Sequence, residues 1–105
     1  MKYWSTPFTG GAPAFPPVEP GKGRVVFYRT STFAAQFTPE VLLNGDKVGK
    51  LDRDSVFYRD VAPGSYAVTT TMTSKVVHFA LGAGEKKYVR FNNDWFGSHT
   101  YAVLV

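Results

Sequence analysis

The chain has 105 residues, of which 44% are hydrophobic and 19% charged, a balance that excludes intrinsic disorder and leaves room for one core but not two. Twelve lysines and arginines outnumber eight acids, giving a net charge of +4, but only Lys86 and Lys87 are adjacent, so the clustered basic stripe of a nucleic-acid binder is absent. With no cysteine, disulfides, thiolate metal sites and thiol nucleophiles are excluded, and no apolar run reaches the ~20 residues of a membrane helix.

Residues 1–21 stand apart. Pro7, Pro13, Pro16, Pro17 and Pro20 remove backbone donors and Gly10 and Gly11 add freedom, so no regular element is expected there. Tyr3, Trp4, Phe8 and Phe15 make this stretch more aromatic than a solvated linker. It reads either as an extended arm laid along the domain or as a tether, and both readings stay open. Residues 22–105 read as the folded domain.

Nine phenylalanines, six tyrosines and two tryptophans favour pleated, half-buried surfaces. Arg24–Arg29 is the first predicted strand, with Val25 and Phe27 on one face and Val26 and Tyr28 on the other. Thr30–Gln36 is a polar connection. Glu40–Asn44 and Lys47–Leu51 flank Asn44-Gly45-Asp46, where Asn-Gly supplies the positive φ angles of a tight hairpin. Val56–Val61 and Tyr66–Met72 flank Ala62-Pro63-Gly64-Ser65, a type II turn that implies a second hairpin.

Lys75–Leu81 places Val77, Phe79 and Leu81 together, opposite Val76, His78 and Ala80. After the Gly82–Glu85 turn, Lys86–Phe91 sends Val89 and Phe91 one way and Tyr88 and Arg90 the other. His99–Val105 is the last strand. Short strands at roughly ten-residue spacing, with no helical period, are the signature of a sandwich or barrel.

These residues resemble a known family. Pro20-Gly21-Lys22-Gly23 leading into Val25-Val26-Phe27-Tyr28-Arg29, then Val41-Leu42-Leu43-Asn44-Gly45 with Val48-Gly49, Phe57-Tyr58, Pro63-Gly64-Ser65-Tyr66 and Gly84-Glu85-Lys86-Lys87-Tyr88-Val89-Arg90, are similar to the bacterial domain-of-unknown-function 2846 family. Its members are small β domains common on exported lipoproteins, and the resemblance runs from Pro20 to the C-terminus. It implies an immunoglobulin-like or transthyretin-like sandwich and a periplasmic or outer-envelope location, and it brings no established activity. Family members usually begin with a signal peptide and a lipidated cysteine. Neither stands in this chain, which fits a trimmed mature domain or a member without a lipid anchor.

Catalytic chemistry has little to work with. His78 and His99 fall in different predicted strands with no acidic pair nearby, whereas a closed zinc site usually needs three or four protein ligands. Asp52-Arg53-Asp54 has the character of a turn whose aspartates bond backbone amides, rather than of an acid–base pair. Ser55 and Ser65 lack a nucleophile-elbow setting, and no phosphate-cradling loop occurs. No catalytic residue, metal or cofactor is assigned.

Two aromatic features remain. Trp95 and Phe96 sit in the polar segment with Asn93, Asp94 and His99; they either cap the open end of the core or stack a ligand, and these five residues are the candidate binding set. Tyr28-Arg29, Tyr58-Arg59 and Tyr88 with Arg90 recur on three strands. If those strands were neighbours they could form a stacking platform, but adjacent Tyr and Arg point to opposite faces, which favours cross-strand packing.

The expectation is an all-β protein: one immunoglobulin-like or transthyretin-like antiparallel β-sandwich of seven to eight strands with an extended Pro-rich N-terminal arm. It is read as a non-enzymatic bacterial envelope module that binds a protein or cell-wall component, with a carbohydrate-binding module as the alternative. Nucleic acid and a transmembrane segment are not expected. Apolar Tyr101–Val105, if it lies at a sheet margin, would allow a homodimer by strand pairing.

Overall fold

The computed structural model describes residues 6–7, 15–29, 39–50, 55–71, 73, 75–93 and 100–105. Among the described residues nine strands run in chain order: β1 (Thr6–Pro7), β2 (Gly23–Arg29), β3 (Glu40–Leu43), β4 (Asp46–Lys50), β5 (Ser55–Val61), β6 (Gly64–Thr70), β7 (Val77–Leu81), β8 (Lys86–Asn93) and β9 (Thr100–Leu104). No helix occurs among the described residues. The strands form a five-stranded sheet, β1-β5-β2-β8-β9, and a four-stranded sheet, β4-β3-β6-β7.

Period-two alternation builds the core between the two sheets. Val25, Phe27, Phe57, Val89 and Phe91 from one sheet meet Val41, Leu43, Val48, Val68 and Leu81 from the other, with Val77 and Phe79 packed against them. The faces predicted for β2, β7 and β8 are the faces observed. Phe27 anchors the layer, its ring 4.9 Å from Phe57 and 6.2 Å from Phe91. At one margin the layers are tied by Arg59, whose Nη2 donates to the Val48 carbonyl at 2.9 Å. Beside it Gly49 lies flat on Phe57, where an added Cβ would stand 2.9 Å from the ring.

The Asn44-Gly45 hairpin is as predicted: both residues have positive φ, 50° and 85°, and β3 pairs antiparallel with β4. The second predicted hairpin is corrected. β5 pairs with β2 in one sheet and β6 with β3 and β7 in the other, so Ala62-Pro63 carries the chain across the sandwich. The two strands reach the core from opposite layers, β5 with Phe57 and β6 with Val68. The Tyr66 hydroxyl closes this corner by donating to the Ala62 carbonyl.

Two further expectations need correction. The sandwich is not wholly antiparallel, because β2 pairs with β8 in parallel, from Arg24 opposite Lys86 to Arg29 opposite Phe91. The Pro-rich stretch is not free of regular structure either, since Thr6 and Pro7 pair with Val56 and Ser55. Pro7 is tolerated there because β1 is an edge.

Candidate functional site

Strand order decides which tyrosines meet. β2 lies between β5 and β8, with Val26 opposite both Tyr58 and Tyr88, and Tyr28 opposite both Val56 and Arg90. Residues directly opposite share a face. Tyr28, Tyr58 and Tyr88 therefore emerge together on the outer face of the five-stranded sheet, joined by Arg24 and Arg90. Arg29 and Arg59 alternate to the inner side and are buried. The three strands of the Tyr-Arg theme are neighbours, and the doublets split as alternation requires.

Part of this face is already occupied. The Glu19-Pro20-Gly21-Lys22 turn, closed by the Lys22 N–H on the Glu19 carbonyl at 3.1 Å, folds residues 15–19 back over the sheet. Gly21 holds φ at +77°, the conformation that the third position of a type II turn demands. Arg24 then grips the segment: Nη1 donates to the Pro16 carbonyl at 2.6 Å and Nη2 to that of Pro17 at 3.2 Å.

The same guanidinium forms a two-pronged pair with Asp60, at 2.6 and 2.9 Å, and lies 4.0 Å above the Tyr58 ring. Asp60 also accepts the Glu19 N–H at 3.1 Å, and Phe15 packs on Tyr58 with ring centres 4.6 Å apart. With side-chain exposures of 3% and 8%, this ion pair is removed from water on a satellite core of Val26, Val56, Tyr58, Phe15 and Tyr28. The hydrogen bond from Arg24 holds the Asp60 carboxyl below its ordinary value, against the opposing effect of burial.

Tyr88 is 44% exposed and Val105 63%, and the Val105 N–H donates to the Tyr88 carbonyl at 2.9 Å. Arg90 is half-buried between Tyr28 on β2 and Val103 on β9. Its Nε is buried and has no hydrogen-bond partner.

Of the candidate binding residues, Asn93 is the last residue of β8, opposite Thr100; Asp94, Trp95, Phe96 and His99 lie outside the described residues. Asp52 and Asp54 also lie outside them. His78 is exposed on β7 opposite Ala67 and lines a shallow groove with Asn44, Ser65, Tyr66, Ala67 and Phe79. Among the described residues no three of His, Cys, Asp and Glu gather as metal ligands.

The Arg24–Asp60 clasp went unread in the sequence, because its partners stand 36 positions apart and each looks like an ordinary surface charge. The signal that existed was Arg24 at the head of an apolar strand with a proline pair a few residues before it. Residues 19–101 match the family described as "Protein of unknown function (DUF2846)". That span holds the clasp, all three tyrosines and Arg90, and begins after Phe15, Pro16 and Pro17. No curated protein and no solved structure matches the chain.

Proposed function

The chain belongs to the DUF2846 family, and on that premise we propose a non-enzymatic module of the bacterial envelope that binds another protein through the outer face of its five-stranded sheet. The observation that carries this reading is the gathering of Tyr28, Tyr58, Tyr88, Arg24 and Arg90 on one face with a stretch of the chain's own Pro-rich segment already seated on it. Tyrosine and arginine give large, rigid contact area with a polar tip, the composition enriched at protein contacts. The envelope location rests on the likeness to domains of exported lipoproteins.

The non-enzymatic reading is supported by Asp60 and His78 among the described residues. Asp60 is committed to Arg24 and the Glu19 amide. His78 stands on the other sheet, in a groove whose described lining residues include no acid. General acid–base work needs a titratable side chain free to exchange its proton and held within hydrogen-bond reach of the reacting group.

A photoreactive phenylalanine analogue at position 88, expressed in the native host from the protein's own gene, tests the reading. The expected result is a discrete protein adduct in the envelope fraction from position 88 and not from position 47, an exposed residue of β4 in the other sheet. No position-specific protein adduct, or a protein confined to the cytosolic fraction, overturns it.

A further inference from the structure

We propose that Arg90, flanked by Tyr28 and Tyr88, is the receptor for a carboxylate carried on an extended peptide segment of the partner. This deepens the protein-binding reading above and rests on it. Among the described residues the outer face carries two arginines, and one of them displays how the face holds a chain. Arg24 lies on Tyr58 and takes two backbone carbonyls and one carboxylate, which engages four of its five N–H donors.

Arg90 stands on the same face, opposite Tyr28 and two residues from Tyr88, without such acceptors among the described residues. Its Nε is buried and unpartnered, and its neighbours across the sheet are Tyr28 and Val103, neither of them an acid. A buried guanidinium donor left without an acceptor bears its desolvation penalty until something supplies one. The fork of donors matches a carboxylate better than a hydroxyl or an amide, because both oxygens are engaged and the charge is neutralised.

Charge and shape narrow the occupant. The chain carries a net charge of +4, and Lys86, exposed on the same face of β8, adds a second cation without an ion pair among the described residues, so an acidic partner is complementary. Tyr88 lies two residues from Arg90 along β8, and an extended ligand repeats its side chains at the same two-residue interval. The segment that fits places an acid on Arg90 and, two positions away, a proline or aromatic side chain on Tyr88 and Val105. The chain's own Phe15-Pro16-Pro17 lies on the neighbouring half of the face, with Phe15 on Tyr58 and the Pro16 and Pro17 carbonyls on Arg24.

The test is NMR titration of the folded protein with an acetylated, amidated peptide of three Glu-Ser-Pro repeats, its Gln-Ser-Pro counterpart, and oligogalacturonate as an acidic glycan. We expect the acidic peptide to shift the Arg90 Nε–H resonance and the Tyr88 amide saturably. Affinity should fall about tenfold or more for the glutamine peptide and for Arg90→Ala and Arg90→Gln, the latter keeping a long polar side chain if alanine perturbs the fold. Equal binding of the two peptides, indifference to both substitutions, or tighter binding of the glycan overturns the inference. If position 88 still captures a protein in cells when Arg90 is replaced by glutamine, the inference falls while the protein-binding reading stands. Binding of the acidic peptide with no protein captured in cells overturns the protein-binding reading, and with it the assignment of the carboxylate to a protein partner.

Discussion

Asp60 is the residue on which most of the outer-face packing converges, because one carboxylate serves both the Arg24 guanidinium and the Glu19 N–H. Its pKa is depressed in the folded protein, first by the hydrogen bond from Arg24. A depressed carboxyl contributes stability that is complete above the unfolded value, near 3.8, and is lost as pH falls through the lower folded value. Acidification below that unfolded value should therefore loosen residues 15–19 from the sheet. The Glu19 amide would report it by faster hydrogen exchange. In Asp60→Asn this acid-dependent step should vanish, with the segment loosened already at neutral pH. The same substitution leaves a guanidinium of 3% exposure without its counter-ion, so it should destabilise the protein by roughly 3 kcal/mol in denaturant titration. A loss under about 1 kcal/mol would mean that the pair behaves like a solvated surface bridge. None of this was legible from residue types, since burial is what turns a common Arg and Asp into a clasp.

Turns show at the scale of elements which signals are local and which are not. Asn44-Gly45 was readable because positive φ is a property of the two residues themselves. What sequence could not supply is that the Asn44 side chain also accepts the Ala67 N–H at 2.7 Å and donates to the Ser65 carbonyl at 3.3 Å, tying the hairpin to β6. Pro63-Gly64 gave an equally clear local signal, yet the chain there changes sheets, because pairing is decided by what the flanking strands bury. The tyrosine face had the same fate: its three strands were visible as a repeated theme, while their adjacency needed the strand order. The candidate residues from Asp94 to His99 fall outside the described positions, so the site that emerged is one the sequence had ranked below them. A close approach of elements yields a further expectation. At Gly23 an added Cβ would stand 2.5 Å from Leu81 Cγ and 2.6 Å from the Gly82 carbonyl oxygen, and a backbone atom has little freedom to retreat. Gly23→Ala should cost roughly 1–3 kcal/mol by forcing β2 away from the end of β7, lowering the melting temperature by about 4–8 °C per kcal/mol. An unchanged melting temperature would show that the two strand ends separate freely.

Connectivity across the whole molecule sets an order of assembly. β3 with β4, β6 with β7, and β8 with β9 are neighbours in sequence and pair antiparallel. The five-stranded sheet is completed only when β2 finds β8 in parallel, closing a long loop whose entropy must be offset before the contact stabilises anything. Refolding should therefore run in the millisecond-to-second range typical of non-local β topologies. Substitutions divide accordingly. Val68 in the β6–β7 hairpin and Val25 on β2, which pairs only with the distant β5 and β8, are both fully buried in the same core, so replacing either with alanine should cost roughly 2 kcal/mol at equilibrium. If hairpins form before the parallel closure, Val68→Ala should chiefly slow refolding and Val25→Ala chiefly speed unfolding. Stopped-flow kinetics across denaturant concentrations separates the two limbs. The opposite partition would place the β2–β8 pairing inside the folding nucleus, and the hairpins would then be consequences of the closed sheet.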